Sequence, residues 1–256
     1  MFFSIIKLIR FEKSFLTAFS IFLPAWQKTK DINLSLAYAI PIFTIVASGF
    51  IINDINDIER DFVNNPNRVL PKKLITTEFA ITIYYFLLLT TLVIIKFFIP
   101  LGYVFVFMLY LVLIINYNYL VNSFPYLKIF YVAIVTIVHL FIIFLLVPIN
   151  LFFCGCIISN ILSQEILLDL RDLKGDGNTL PKIVGKKITI RLVSLLQLLQ
   201  LLLLIAYGKF NIMHCGLILL TVLTQVLLYF FWKQKKNELI ISTLKVQTIM
   251  MFALII

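Results

Sequence analysis

Eight of the chain's 12 carboxylates fall in two short stretches. The first reads Asn53-Asp54-Ile55-Asn56-Asp57-Ile58-Glu59-Arg60-Asp61, and the second runs from Glu165 through Asp169 and Asp172 to Asp176. Asp54, Asp57 and Asp61 are spaced i, i+3, i+7, and the second set i, i+4, i+7, i+11. On a helix each set shares one face. Like charges one turn apart destabilise a helix, so seven carboxylates on two faces are poor stability devices. A divalent cation resolves the repulsion. Oxygen ligands without paired His or Cys select a hard ion such as magnesium or calcium. Magnesium takes one or two carboxylates and completes its shell with water and substrate phosphates. Two acidic faces across a cavity would therefore hold magnesium ions, with a diphosphate as the missing ligand. The plainer alternative is a pair of solvated loops whose acids pair with nearby bases.

Bases flank both stretches: Arg60, Arg68, Lys72 and Lys73 at the first, and Arg171, Lys174, Lys182, Lys186 and Lys187 around the second. Arg binds phosphate through two parallel hydrogen bonds and Lys as a point charge. Lys186 and Lys187 read more simply as orientation signals, whereas Arg68 and Lys182 are balanced between that role and phosphate binding.

The elements that carry these stretches are membrane helices. The chain is 62% hydrophobic and 13% charged, with a mean hydropathy of +1.05. A soluble domain carries about 25% charged residues. Stretches of about 20 apolar residues span a bilayer. They are expected at Ile9–Trp26, Leu34–Ile52, Phe79–Phe98, Leu101–Val121, Ile129–Val147, Leu151–Leu168, Ile190–Tyr207, Ile212–Trp232 and Leu239–Ile256. The first has the shortest apolar part and carries Pro24. The reading is therefore all-α: nine transmembrane helices in one bundle over residues 1–256, around a central cavity.

Charge placement agrees with that map. With the N-terminus in the cytoplasm, 17 of the 22 Lys and Arg fall on that side. Lys28, Lys30, Lys96 and Lys209 fall on the other, and Lys245 lies within the last span. Basic residues concentrate in cytoplasmic loops, so both acidic stretches are expected there, after the second and sixth spans. The formal charge of +10 reflects those loops, and no basic patch with interleaved aromatics suggests nucleic acid. Met1 to Ser14 lacks the pattern of a cleaved signal peptide. Cys154, Cys156 and Cys215 are odd in number and sit in apolar runs, which argues against a disulfide framework. The Cys154/Cys156 pair has no nearby His and falls short of the four ligands of a zinc site.

The acidic stretches also resemble those of a known family. Asn53, Asp54, Asp57 and Asp61 match the N-D-x-x-D-x-x-x-D motif of UbiA-type intramembrane prenyltransferases. Asp169, Asp172 and Asp176 are similar to that family's second motif. Asn67-Arg68-Val69-Leu70-Pro71-Lys72-Lys73-Leu74-Ile75-Thr76 resembles its N-R-P-L-P-x-G-x-I-S segment, with Val69 and Lys73 in place of Pro and Gly. Asn178-Thr179-Leu180-Pro181 resembles the segment after the second motif. Many members carry a Tyr followed by a Lys near the end of the fourth span. Here Tyr117 is followed by Leu120-Val121-Asn122, and Lys128 is the nearest substitute.

The resemblance covers essentially the whole chain and implies a helical bundle opening sideways to lipid, with an isoprenoid tail in an apolar tunnel. It assigns Asn53 and the six aspartates to magnesium, the aspartates also to catalysis. Asn53, Arg60, Arg68, Tyr117, Lys128 and Lys182 would bind the isoprenoid diphosphate. Cleaving the allylic C–O bond puts charge on the leaving diphosphate, which magnesium and bases stabilise. An aromatic lining shields the carbocation, and Tyr117 or Tyr119 could add cation–π contact, although packing is the commoner role of an aromatic. The prenyl group would pass to a small acceptor, aromatic or glycerol-phosphate-like. Two other readings are a terpene cyclase on the same scaffold and a cation transporter. Transporters bind near the bilayer midplane, and these acids cluster at one end.

Other polar residues inside the spans read as structural. Asn116, Asn118 and Asn122 suit helix–helix bonding better than acceptor binding. His139 and His214 suit hydrogen-bonded structure, and Lys245 suits a snorkelling base.

Overall fold

A computed structural model describes residues 1–173, 179–208, 212–231 and 237–254. The described residues form helices and a short 3-10 turn, with no strand. Seven helices are long and apolar enough to cross a membrane. They are α3 (Ile32–Asn56), α5 (Thr77–Phe98), α6 (Leu101–Ser123), α7 (Lys128–Leu146), α8 (Leu151–Arg171), α10 (Lys186–Tyr207) and α11 (Ile212–Phe231). The remaining two expected spans fall on helices as well. One is α2 (Phe11–Thr29), which carries Glu12, Lys13 and Lys28. The other is α12 (Asn237–Leu254), whose apolar part, Leu239–Phe252, is shorter. Three short helices, α1 (Phe2–Leu8), α4 (Ile58–Asn64) and α9 (Leu180–Val184), lie between or before the long ones. The chain is thus an integral, multi-pass membrane protein.

Local chemistry sets many of the boundaries. The Asp31 carboxylate caps α3 by accepting from the Asn33 and Leu34 amides at 2.8 and 3.2 Å. Thr76 caps α5 and Asn150 caps α8 in the same way, each satisfying donors that have no partner inside the helix. Pro100, Pro125 and Pro148 stand in the breaks between α5, α6, α7 and α8.

The chain divides into two compact units. The first holds Met1–Ser123 and Phe141–Pro148. In it α3 packs against α2, α5 and α6. Gly49 makes the α3–α6 crossing possible, since a Cβ there would stand 2.3 Å from Ile114 Cγ2. The Thr44 and Thr91 hydroxyls bond across α3 and α5 at 2.6 Å. Leu8, Ile51, Val69, Leu70, Ile75, Ala80 and Tyr84 form one buried cluster. It ties α1 and the segment after α4 to the end of α3.

The second unit holds Phe124–Leu140 and Ile149–Ile256. Here α8 packs against α10 and α12, and α11 against both of those. Ile166, Leu167 and Leu170 of α8 bury against Val193, Leu227, Leu228, Ile240, Ile241 and Leu244, with Ile129 packed alongside. Amides supplement this apolar contact. Gln197 donates to Ser163 and Gln200, Gln200 to Thr221 and Gln247, and Gln247 to Thr224. Asn160 and Gln164 both donate to Thr248 and the Leu244 carbonyl. Lipid tails supply no hydrophobic drive for helix association, so close packing and interhelical hydrogen bonds hold such helices together.

Candidate active site

The first acidic stretch does not form one continuous helix. α3 stops at Asn56, Asp57 takes φ −100° and ψ 12°, and α4 starts at Ile58. The turn stays close to helical, because the Asp57 amide reaches the Asn53 carbonyl at 2.9 Å and the Asp61 amide reaches that of Asp57 at 2.8 Å. Asp54 and Asp61 consequently keep a common side, and one guanidinium proves it. Arg68 donates to Asp61 at 2.5 Å and to Asp54 at 3.3 Å. Asp57 is held separately, by the Asn53 side-chain amide at 3.1 Å and by Arg60 at 3.4 Å.

Arg68 reaches this position because its neighbours are anchored. Val69 and Leu70 are buried in the cluster with Leu8 and Ile51, and the Leu74 amide closes back on the Val69 carbonyl at 3.0 Å. Lys73 takes φ +54°, a conformation in which a Cβ crowds the following carbonyl. The UbiA-type pattern has Gly there, and the backbone supplies the reason.

A second guanidinium, absent from the sequence reading, joins the group. Arg10 donates to Asp54 at 2.6 Å and stacks 4.5 Å from the Phe50 ring centroid. It stands between α1 and α2 with φ +44° and ψ +56°. The sequence marks it only as a base near the N-terminus, because its partner lies 44 residues away.

Asp54 and Asp61 are nearly inaccessible, at 4% and 3% of their exposed area. Burial raises the Asp61 pKa above the ordinary 3.8, with the Arg68 charge opposing and the Asp54 charge adding to the rise. Burying a carboxylate is expensive unless it is paired. At Asp61 the paired Arg68 offsets only part of that cost, since burial still dominates.

The second stretch is arranged differently. Asp169 is buried on α8, and the Lys128 ammonium bonds both its Oδ1 and Glu165 Oε1, the latter at 2.7 Å. Asp172 does not share that contact. It is the C-cap of α8, and Arg171 grips it from the neighbouring position at 2.7 and 2.8 Å. Asp176, with Lys174 and Asn178, lies outside the described residues. Lys182 is exposed on α9.

Tyr117 is half-buried on α6. Its neighbour Asn116 bonds its own helix at the Val112 carbonyl, 2.8 Å away, whereas the buried Asn118 amide nitrogen finds no acceptor among the described residues. The Asn122 side chain lies outside the described set. His139 packs edge-on against Phe252, and His214 bonds the Leu204 carbonyl at 2.8 Å.

The donor chemistry fits a hard divalent cation that shares its shell with phosphate. All donors in both groups are carboxylate or amide oxygens. Among the described residues no three His, Cys, Asp or Glu converge into a closed metal cage.

Comparison with known proteins identifies the family. A digeranylgeranylglyceryl phosphate synthase of Methanosphaera stadtmanae is 32% identical over 190 residues, which is 70% of this chain and 69% of the relative. A solved digeranylgeranylglyceryl phosphate synthase structure shares 22% identity and a TM-score of 0.69, over 98% of this chain and 97% of that one. The apo structure of a UbiA homologue from Aeropyrum pernix K1 shares 13% identity and a TM-score of 0.74, over 96% and 98%. At those identities the two structures speak for the fold. The model of the UbiA prenyltransferase family matches residues 14–253, nearly the whole length, and the chain is therefore a prenyltransferase belonging to that family.

Proposed function

We propose that this enzyme transfers a prenyl group from an isoprenoid diphosphate to the hydroxyl of a glycerol-phosphate-like alcohol. The observation that carries the reading is Arg68 holding Asp54 and Asp61 together. Oxygen donors for a hard cation and a phosphate-binding guanidinium meet in one buried group. The acceptor class is supported by the similarity to the Methanosphaera digeranylgeranylglyceryl phosphate synthase. A transferred product in that relative also favours transfer over cyclisation.

In this reading Asn53, Asp54, Asp57 and Asp61, with Asp169, Asp172 and Asp176, hold the diphosphate's magnesium ions. Magnesium, when bound, neutralises the charge that grows on the departing diphosphate. Arg60, Arg68, Lys128 and Lys182 bind the phosphate oxygens and orient the allylic carbon. The C–O bond breaks with its electron pair on the diphosphate. The acceptor oxygen then bonds the same carbon and gives up its proton to the released diphosphate. Tyr117 helps shield the cation from water. The nine-span bundle, its lateral cavity and the cytoplasmic placement of both acidic stretches belong to the same proposal, and the charge asymmetry of the loops supports the orientation.

The test uses purified protein with magnesium and labelled geranylgeranyl diphosphate, presented with glycerol-phosphate-type alcohols and, separately, aromatic acceptors. Diphosphate release that depends on the alcohol, and is lost in Asp54→Ala and Asp172→Ala, is the expected result. Release without acceptor, yielding a cyclic hydrocarbon, would replace the reading by the cyclase.

A further inference from the structure

Polar side chains of the second unit close a circuit through three helices. Asn160 on α8 donates to Thr248 on α12 at 2.7 Å. Gln247, next to Thr248 in sequence, accepts from Gln200 on α10 at 3.0 Å. Gln200 accepts from Gln197 at 3.1 Å, and Gln197 returns to α8 by donating to Ser163 at 3.1 Å. Asn160 and Ser163 stand one turn apart on α8 and share a face, so the chain of bonds ends where it began. The α8–α10 register puts Asn160 at the depth of the two glutamines. A Cβ on Gly155 would meet Leu203, the Cys156 thiol lies 3.7 Å from the Gln200 carbonyl, and Ser163 takes Gln197. Antiparallel pairing with those partners places Asn160 between Gln200 and Gln197.

The hydrogens of this circuit fall short of its acceptors. A side-chain amide has two donor hydrogens and one acceptor oxygen. Asn160 spends both hydrogens, on Thr248 and the Leu244 carbonyl. Gln197 spends both on Ser163 and Gln200, and Gln200 both on Thr221 and Gln247. Gln247 spends both on Thr224 and the Leu220 carbonyl. The Ser163, Thr221 and Thr248 hydroxyls donate to carbonyls of their own helices. The amide oxygens of Gln200 and Gln247 are met. Those of Asn160 and Gln197 have no partner among the described residues, although both residues are 0% exposed.

We infer that one buried water occupies this circuit, donating one hydrogen to Asn160 Oδ1 and the other to Gln197 Oε1. The shortfall is two hydrogens, which is what a single water carries. Buried waters bond polar groups that the chain leaves unsatisfied, whereas apolar cavities stay dry. A metal ion fits worse, since hard cations take six or more oxygens and two are left over here. The water ties α8 to α10 beside the Gln197–Ser163 bond. Asp169 lies further along the same α8, so the bridge helps to fix the rotation at which that carboxylate is presented. The inference is independent of which acceptor the enzyme uses.

The experiment crystallises the full-length native chain from lipid, once in sodium and once in potassium medium, at a resolution that shows ordered water. One isolated density peak is expected about 2.5–3.0 Å from both Asn160 Oδ1 and Gln197 Oε1, the same in both media. No peak, or one within reach of only one of the two oxygens, would overturn the inference. So would a peak that appears with sodium alone, which would mean a cation. Thermal midpoints in detergent supply a second reading. Asn160→Leu and Gln197→Leu should each lower the midpoint. Together they should lower it by less than the sum of the two losses, because either one already deprives the water of a partner. Ser194 bonds Gln225 instead, so Asn160→Leu combined with Ser194→Ala should be additive. Additive losses in the first pair as well would overturn the inference. The density needs only the native chain, so it decides the matter where a variant fails to fold.

Discussion

The Arg10 guanidinium lies 2.6 Å from the Asp54 carboxylate, so the junction between the first two helices is fastened directly to the acidic motif. Arg10→Gln should lower stability by about 1 kcal/mol, the scale of a partly compensated charged hydrogen bond, because Arg68 remains on Asp54. It should reduce diphosphate release well beyond Lys7→Gln, a neighbouring base with no such contact. Thermal unfolding in detergent, read beside the release assay, checks both, and equal effects of the two substitutions would reduce Arg10 to an orientation signal.

Lys73 occupies a left-handed conformation that Gly adopts without strain. Lys73→Gly should raise stability by up to about 1 kcal/mol, less than the full penalty of about 1–2 kcal/mol for a Cβ in that region, because Gly also loosens the unfolded chain. Denaturant titration in mild detergent measures it. A loss of stability would mean that the lysine side chain itself fastens the loop.

At Gly49 the α3–α6 approach leaves no place for a methyl group. Gly49→Ala must push Ile114 or its helix aside, and overpacking of this kind costs about 1–3 kcal/mol. Gly102, where an added Cβ meets nothing within 4 Å, is the control. Gly102→Ala should leave the thermal midpoint nearly unchanged, and matching losses at both positions would refute the close-approach argument.

Asp61 supplies a pH dependence with a defined sign. Its folded-state pKa is raised above 3.8, burial outweighing the Arg68 charge. The folded protein therefore binds this proton more tightly than the unfolded chain does. Asp61's contribution is fully present below pH 3.8 and is lost as pH rises through the raised value. The stability of the native chain minus that of Asp61→Asn, both without metal, should decline with pH across that window and level off above it. A difference that grows with pH there would show that the Arg68 pairing dominates instead.

Much of this was legible because lipid imposes simple rules. Apolar length locates the long helices, and i, i+7 spacing correctly puts Asp54 and Asp61 on one side. The break at Asp57 was not legible, since no Pro or Gly occupies residues 53–61 and the tertiary setting decides it. Asp172 escaped the one-face expectation because α8 ends at Arg171, one residue short. Arg10 was visible only as a charge, and Lys128 only through the family resemblance, because long-range contacts leave no local pattern. The spacing did include Glu165, but only coordinates reveal the ammonium it shares with Asp169.

The amide network of the second unit bears on how the protein is made. Gln200 on α10 and Gln247 on α12 are each wholly buried and bond one another at 3.0 Å. During synthesis α10 is made before α12 exists, and its amide has only Gln197 and, once α11 follows, Thr221 to bond. The arrival of α12 is then registered chemically, by the Gln247 amide. A chain truncated before that residue would keep the bonds of Gln200 to Gln197 and Thr221 but lose the one that ties α10 to α12, so the helix would be held one hydrogen bond more loosely.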